Sequence, residues 1–178
     1  MNLYRSIAAA ALALAMSPMA AHAQAACTAG GAVVQLTQAQ ISALFGGNLV
    51  CGRPGPNYQG NPADRWQEEH MPGLASAQKD LFDYKLGPGH PVDPRKKVGT
   101  WIVTESRVGG VITHTYGPGA AFTWRVFGPA VNVPGTSVYS FCPQEVPAEV
   151  VRAYVLTSNS GCAGNVPPAS KAAPFVRR

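Results

Sequence analysis

An antiparallel β-meander that curls into a small barrel or a strongly bent sheet, with one short N-terminal helix, is the fold this sequence predicts. Three observations predict it. Stretches of β-branched and aromatic residues alternate with polar ones at period two. These stretches recur at roughly ten-residue spacing, as in all-β domains. Tight-turn residues separate them: the 178 residues include 19 glycines and 16 prolines. Hydrophobic residues make up 46% of the chain and charged residues 13%, against a usual charged share of about 25%. That composition excludes a charge-rich disordered chain and a coiled coil, and no repeat of solenoid length is visible.

Met1 to Ala23 has the form of a bacterial secretory signal. Arg5 gives the positive start, Ile7 to Met16 the apolar run, and Ala21-His22-Ala23 the cleavage site. The run is too short to span a bilayer. Cleavage there makes Gln24 the new N-terminus and leaves about 155 residues, enough for one domain with a real core. A lipoprotein acylated at Cys27 is the rival reading, but Gln24 stands where its signal needs an aliphatic residue. The expected location is therefore the periplasm or the exterior, with no membrane span. Residues 24–162 form a single β domain in this reading, and 163–178, rich in Pro and Ala, a disordered tail.

The elements follow in order. Thr37-Gln38-Ala39-Gln40 is a capping box, with Thr37 as cap and Gln40 reaching back. Leu36 and Ile41 occupy the staple positions, and Gly46-Gly47 stops the turn. The helix is therefore Gln38 to Phe45, with Ile41, Leu44 and Phe45 facing one way. Asn48 to Gly52 is a short strand, and Arg53 to Ala63 a Pro/Gly loop. Asp64 to His70 suits a strand with Trp66, Glu68 and His70 on one face, preferred here over a helical turn. Leu81 to Lys85 is another strand, followed by a turn-rich link over Gly87 to Pro94. Gly99 to Glu105 is a strong strand, and Gly109-Gly110 a hairpin turn signal. Val111 to Tyr116 returns, Gly117-Pro118-Gly119 turns, and Ala121 to Phe127 follows with Phe122, Trp124 and Val126 alternating. After the loop Pro129 to Gly135, Thr136 to Cys142 is a strand with Tyr139 and Phe141 on one face. Glu149 to Thr157 suits either a helix or a strand.

Four cysteines, Cys27, Cys51, Cys142 and Cys162, form an even set expected to make two disulfides in an oxidising compartment. Three pairings are open. The local one, Cys27–Cys51 with Cys142–Cys162, closes loops of about 20–25 residues, each worth about 3 kcal/mol by chain entropy. No C-x-x-C is present, and the spacing does not suit structural zinc.

The densest polar stretch holds Asp64, Glu68, Glu69, His70, Asp80, Asp83, Lys85, His90 and Asp93. Glu68 and His70 share a strand face about 7 Å apart, and Asp83 joins them if its strand pairs alongside. A carboxylate beside an imidazole suits general acid/base work or a divalent metal. His114, between Thr113 and Thr115, reads as a half-buried, hydrogen-bonded histidine. No G-x-S-x-G, P-loop or dinucleotide motif is present, so no cofactor is expected. The net charge of +5 falls to +4 without Arg5, and the triplet Arg95-Lys96-Lys97 stands in a Pro/Gly loop without interleaved aromatics. That excludes a nucleic-acid face.

The runs Arg65-Trp66-Gln67-Glu68-Glu69-His70, Leu81-Phe82-Asp83-Tyr84-Lys85, Gly87-Pro88-Gly89, Pro91-Val92-Asp93-Pro94, Val98-Gly99-Thr100-Trp101 and Tyr139-Ser140-Phe141-Cys142, with the later Gly161-Cys162, carry a resemblance. Over Leu36 to Cys162 the chain resembles a group of small uncharacterised secreted proteins of proteobacteria, which implies secretion and no particular activity. Gly99-Thr100-Trp101 is also similar to the strand-opening Gly-x-Trp of lipocalins, which falls near their N-terminus whereas here it lies mid-chain. Gly99 can end a loop without a clash, and Trp101 is expected to cover an open barrel end. The function expected is a monomeric, non-enzymatic β domain that binds a protein partner or a small apolar ligand, with the loops Arg53 to Ala63 and Gly87 to Lys97 as contact surfaces. The alternatives are a metal-binding protein or acid/base enzyme using Glu68, His70 and Asp83, and a structural envelope protein.

Overall fold

Alternating side chains along nine strands set the architecture, and a computed structural model of the chain describes residues 27–61, 66–74, 76–83, 95–131, 137–157 and 162. The stretch read as a signal, the C-terminal stretch 163–178 and all of 84–94 lie outside the described residues. The elements are β1 (Val33–Gln35), α1 (Gln38–Phe45), β2 (Asn48–Pro54), β3 (Trp66–His70), β4 (Lys79–Asp83), β5 (Lys96–Ser106), β6 (Gly109–Tyr116), β7 (Ala120–Pro129), β8 (Val138–Pro143) and β9 (Val151–Thr157). The sheet order is β1-β7-β6-β5-β4-β3-β2-β9-β8, and β7 also pairs with β8. That extra pairing closes β2 to β9 into an eight-stranded, up-and-down antiparallel barrel. Phe127 pairs with Gln35 on one edge and Ser140 on the other. The short β1 therefore takes over the edge of β7 where β6 ends.

The helix has the bounds its capping box sets. Thr37 Oγ1 accepts from the Gln40 N–H, and Gln40 Oε1 accepts from the Thr37 N–H at 2.8 Å. A carboxylate from another strand also serves this end: Glu105 Oε2 accepts from the Gln38 N–H at 2.8 Å, satisfying a donor the helix cannot. Gln38 Nε2 donates to the Val103 carbonyl at 2.9 Å. At the other end the Gly47 N–H donates to the His70 carbonyl at 2.7 Å. So α1 is tied to β3 and β5 and lies across one mouth of the barrel. Ile41 and Phe45 are fully buried there, with Leu44 packed beside them.

Several expectations are corrected. The β5–β6 loop is Arg107-Val108, because Ser106 pairs with Gly109. The two glycines are instead the first residues of β6. Gly110 has a different role: a Cβ there would stand 2.5 Å from the Gln38 nitrogen and from the Thr37 carbonyl carbon. Only a bare backbone lets the helix start sit this close. Lys96 and Lys97 belong to β5 rather than to a loop, facing Asp83 and Phe82. Trp101 therefore lies mid-strand and is 1% exposed, inside the barrel rather than over its end. Gly99 is mid-strand too; a Cβ there would stand 2.1 Å from the Thr115 carbonyl oxygen. The ambiguous last element is a strand, since Val151, Ala153 and Val155 alternate inward. The short β1 had no pattern of its own to reveal it.

The interior is one cluster, with Trp66, Trp101, Trp124, Tyr116, Tyr139, Phe141 and the plug residue Phe45 as its largest members. The disulfides are long-range: Cys27–Cys142, spanning 115 residues, and Cys51–Cys162, spanning 111. Loops of that length are worth about 4–5 kcal/mol each by chain entropy, more than local pairing would give. Both sit in smaller clusters apart from the main core, Cys142 against Phe127 and Cys51 against Leu49. The seat of α1 makes a prediction. Gly110→Ala forces backbone apart and should lower stability by about 1–3 kcal/mol in urea denaturation. An unchanged midpoint would mean that α1 is not held against β6.

Candidate functional site

Period two puts Trp66, Glu68 and His70 on the inner face of β3, and Ile112, His114 and Tyr116 on the inner face of β6. The two strands are separated by β4 and β5 in the sheet, so only curvature brings these side chains together. His70 Nε2 and His114 Nε2 are 2.9 Å apart. Tyr116 donates its hydroxyl proton to Glu68 Oε1 at 2.7 Å. One metal-ligating atom from each of Glu68, His70 and His114 lies within 4.8 Å of the others. All three residues are at most 3% exposed. Beside them is a cavity of about 10 Å³, lined also by Trp66, Trp124, Phe141 and other apolar side chains. That is about the room one water molecule needs.

The hydrogen bonds fix the tautomers. His70 Nδ1 lies 3.3 Å from the Glu68 carbonyl, which can only accept. His70 therefore carries its proton on Nδ1 and presents a lone pair on Nε2, and His114 Nε2–H donates to it. An Nδ1–H bound to a backbone carbonyl is also the arrangement that readies Nε2 for a metal. Phe45 packs on one side of His70, ring centroids 5.5 Å apart, and Trp101 meets it edge-on at 5.0 Å. The His70 ring is thus packed on two sides.

Burial decides the charges. It pushes the Glu68 carboxyl up to about 8; the Tyr116 hydrogen bond opposes this, and the charge of Asp83 adds to it. Burial lowers His114 to about 3. It also holds His70 well below its ordinary value, helped by His114 and Lys79 and opposed by the bond to the Glu68 carbonyl. Tyr116 is pushed well above the ordinary phenol value, first by burial and then by Glu68. At neutral pH the centre is thus two neutral imidazoles, a protonated carboxyl and a phenol. A cation entering it would displace the Glu68 proton and gain a carboxylate.

The sequence cluster sorts itself onto two faces. Asp83 pairs with Glu68 in the β3–β4 register, as the alongside strand requires, and is half-buried. It is not among the three residues whose ligating atoms converge; His114 takes that place. Glu69 faces outward to Arg95 at 2.7 Å, and Asp80 faces Lys97 at 2.6 Å. Asp64, Lys85, His90 and Asp93 lie outside the described residues, as do parts of both expected contact loops. His114 is fully buried rather than half-buried, and its hydrogen-bond partner is His70, 44 positions away. From the sequence, Tyr116 is only the last residue of the strand Val111 to Tyr116. Its position two residues after His114 on the same face was the available signal for both.

No family model, no curated protein and no solved structure matches this chain.

The buried groups give the metal-free protein a pH profile. The sign follows from proton counts in the two states. Between about 4.5 and 6.5 the unfolded chain binds protons on two imidazoles that the folded chain refuses, while folded Glu68 keeps one the unfolded chain has lost. Stability therefore rises with pH in that window. From 6.5 to about 8 only Glu68 differs, and stability falls as pH rises. Urea midpoints should peak near pH 6.5, and Glu68→Gln should remove the fall between 6.5 and 8. A midpoint that climbs steadily from pH 6.5 to 8 would contradict this charge assignment.

Proposed function

We propose that the protein is a secreted or periplasmic metal-binding barrel that holds one first-row transition-metal cation between Glu68, His70 and His114. The observation that carries this is the convergence of three buried ligating atoms within 4.8 Å beside a small cavity. A barrel core needs no such group. Well-packed apolar side chains would fill the space at equal or lower free energy than a buried polar network, so its presence calls for a use.

The donor set selects the ion. Imidazole with one carboxylate suits zinc, copper, iron or nickel. All four cysteines are in disulfides, which leaves no thiolate for soft ions such as copper(I). Calcium and magnesium prefer six or more oxygen ligands, and two nitrogens are a poor substitute. The disulfides fit an oxidising compartment, and among the described residues no helix is long and apolar enough to cross a membrane.

The cavity also limits what the centre does. Room for one small occupant admits the cation and no organic substrate beside it. The reading is of a holder of metal rather than a hydrolytic enzyme, and the same limit argues against an apolar small molecule at this centre. Calorimetric titration of zinc(II) and copper(II) into chelator-treated protein should show one equivalent bound. His114→Phe keeps a ring in place and removes a ligand. It should weaken binding by more than the roughly 100-fold that marks the upper end of outer-sphere effects. Absence of binding, or binding that His114→Phe leaves intact, would overturn the proposal.

A further inference from the structure

We propose that Tyr116 is a positioning residue for this centre, holding Glu68 Oε1 so that Glu68 meets the cation through its other oxygen alone. The inference rests on the metal-binding reading above and deepens it by fixing the mode of carboxylate ligation.

Three observations carry it. The Tyr116 hydroxyl and Glu68 Oε1 are 2.7 Å apart, a full-strength O–H to carboxyl hydrogen bond, and both residues are buried. The cavity is bordered by Glu68, His70 and His114, and Tyr116 stands outside it. Glu68 Oε1 is therefore engaged by a residue that does not itself line the cavity. The third observation is the pattern across the two strands. Glu68 on β3 uses its carbonyl to orient His70 two residues on. Tyr116 on β6, two residues after the ligand candidate His114, orients Glu68 from the opposite wall. Two of the three candidate ligands thus have a partner fixing the atom that does not face the cation, as the outer sphere of a metal site requires.

A carboxylate free to turn would offer both oxygens to the cation. One whose Oε1 lies in a hydrogen bond with a rigidly packed phenol offers one. The packing is rigid because the Tyr116 ring lies 6.1 Å from His114 and 6.1 Å from Phe122. Tyr116→Phe keeps these ring contacts and removes only the hydroxyl.

The test uses zinc(II) alone as probe and reads the infrared difference between loaded and metal-free protein, with the Glu68 bands identified by their loss in Glu68→Gln. The wild type should show the wide separation of antisymmetric and symmetric stretches that marks a carboxylate bound through one oxygen. Tyr116→Phe should narrow that separation toward two-oxygen binding and weaken zinc affinity roughly 10–100-fold. In the Glu68→Gln background the same substitution should leave affinity unchanged, which a purely structural loss would not. A narrow separation in the wild type overturns the inference. So does a Tyr116→Phe protein with unaltered bands, or an equal affinity loss in both backgrounds. If Tyr116→Phe fails to fold, the wild-type spectrum decides alone. If calorimetry shows that the wild type binds no zinc or copper, the metal-binding reading falls, and this inference with it. Zinc bound with a narrow separation sinks only the inference.

Discussion

The hydrogen bonds between β7 and β8, over Trp124–Phe127 and Ser140–Pro143, turn a sheet into a barrel. Everything at the centre depends on that closure. An open sheet would leave the inner faces of β3 and β6 on one exposed surface, and Glu68, His70 and His114 would stay hydrated. Closure puts them in a dry interior, and desolvation then dominates every shift at the centre. Phe45, carried by α1 across one mouth, completes the exclusion of water near His70.

A buried polar centre persists only if each group finds a partner, because an orphaned buried donor or acceptor costs about 1–3 kcal/mol. In the metal-free centre three such bonds are made: His114 donates to His70, His70 to the Glu68 carbonyl, and Tyr116 to the Glu68 carboxyl. The two imidazole nitrogens that would ligate a cation are the pair that hydrogen-bond in its absence. A cation bound there would replace that hydrogen bond with two coordinate bonds, once the His114 proton moves from Nε2 to Nδ1. The long-range disulfides matter to this balance. They constrain the unfolded chain most when the loops are long, which helps a barrel tolerate polar groups in its core.

Much of the fold was legible because its signals are local. The capping box of Thr37 and Gln40 set α1 to the residue, and the alternation of Trp66, Glu68 and His70 put them on one face of a strand, though not which face turns inward. Asp83 opposite Glu68 followed from two adjacent strands. The centre itself was half legible. Glu68 and His70 lie on one strand, but His114 reaches them only across the interior, a relation set by closure and strand tilt that no spacing encodes. Disulfide connectivity failed to show for the same reason: Cys27 finds Cys142 through the path of the whole chain. Gly110 misled because glycine serves turns and close backbone approaches alike, and here the approach of α1 required it.

The most direct test of the metal-binding account is a crystal structure of the protein loaded with copper(II) or zinc(II), with data collected on both sides of the metal's absorption edge. The account predicts one anomalous peak inside the barrel, at about 2.0–2.2 Å from His70 Nε2, His114 Nε2 and an oxygen of Glu68. Anomalous density only on the outer surface, with the His70–His114 hydrogen bond intact, would contradict it.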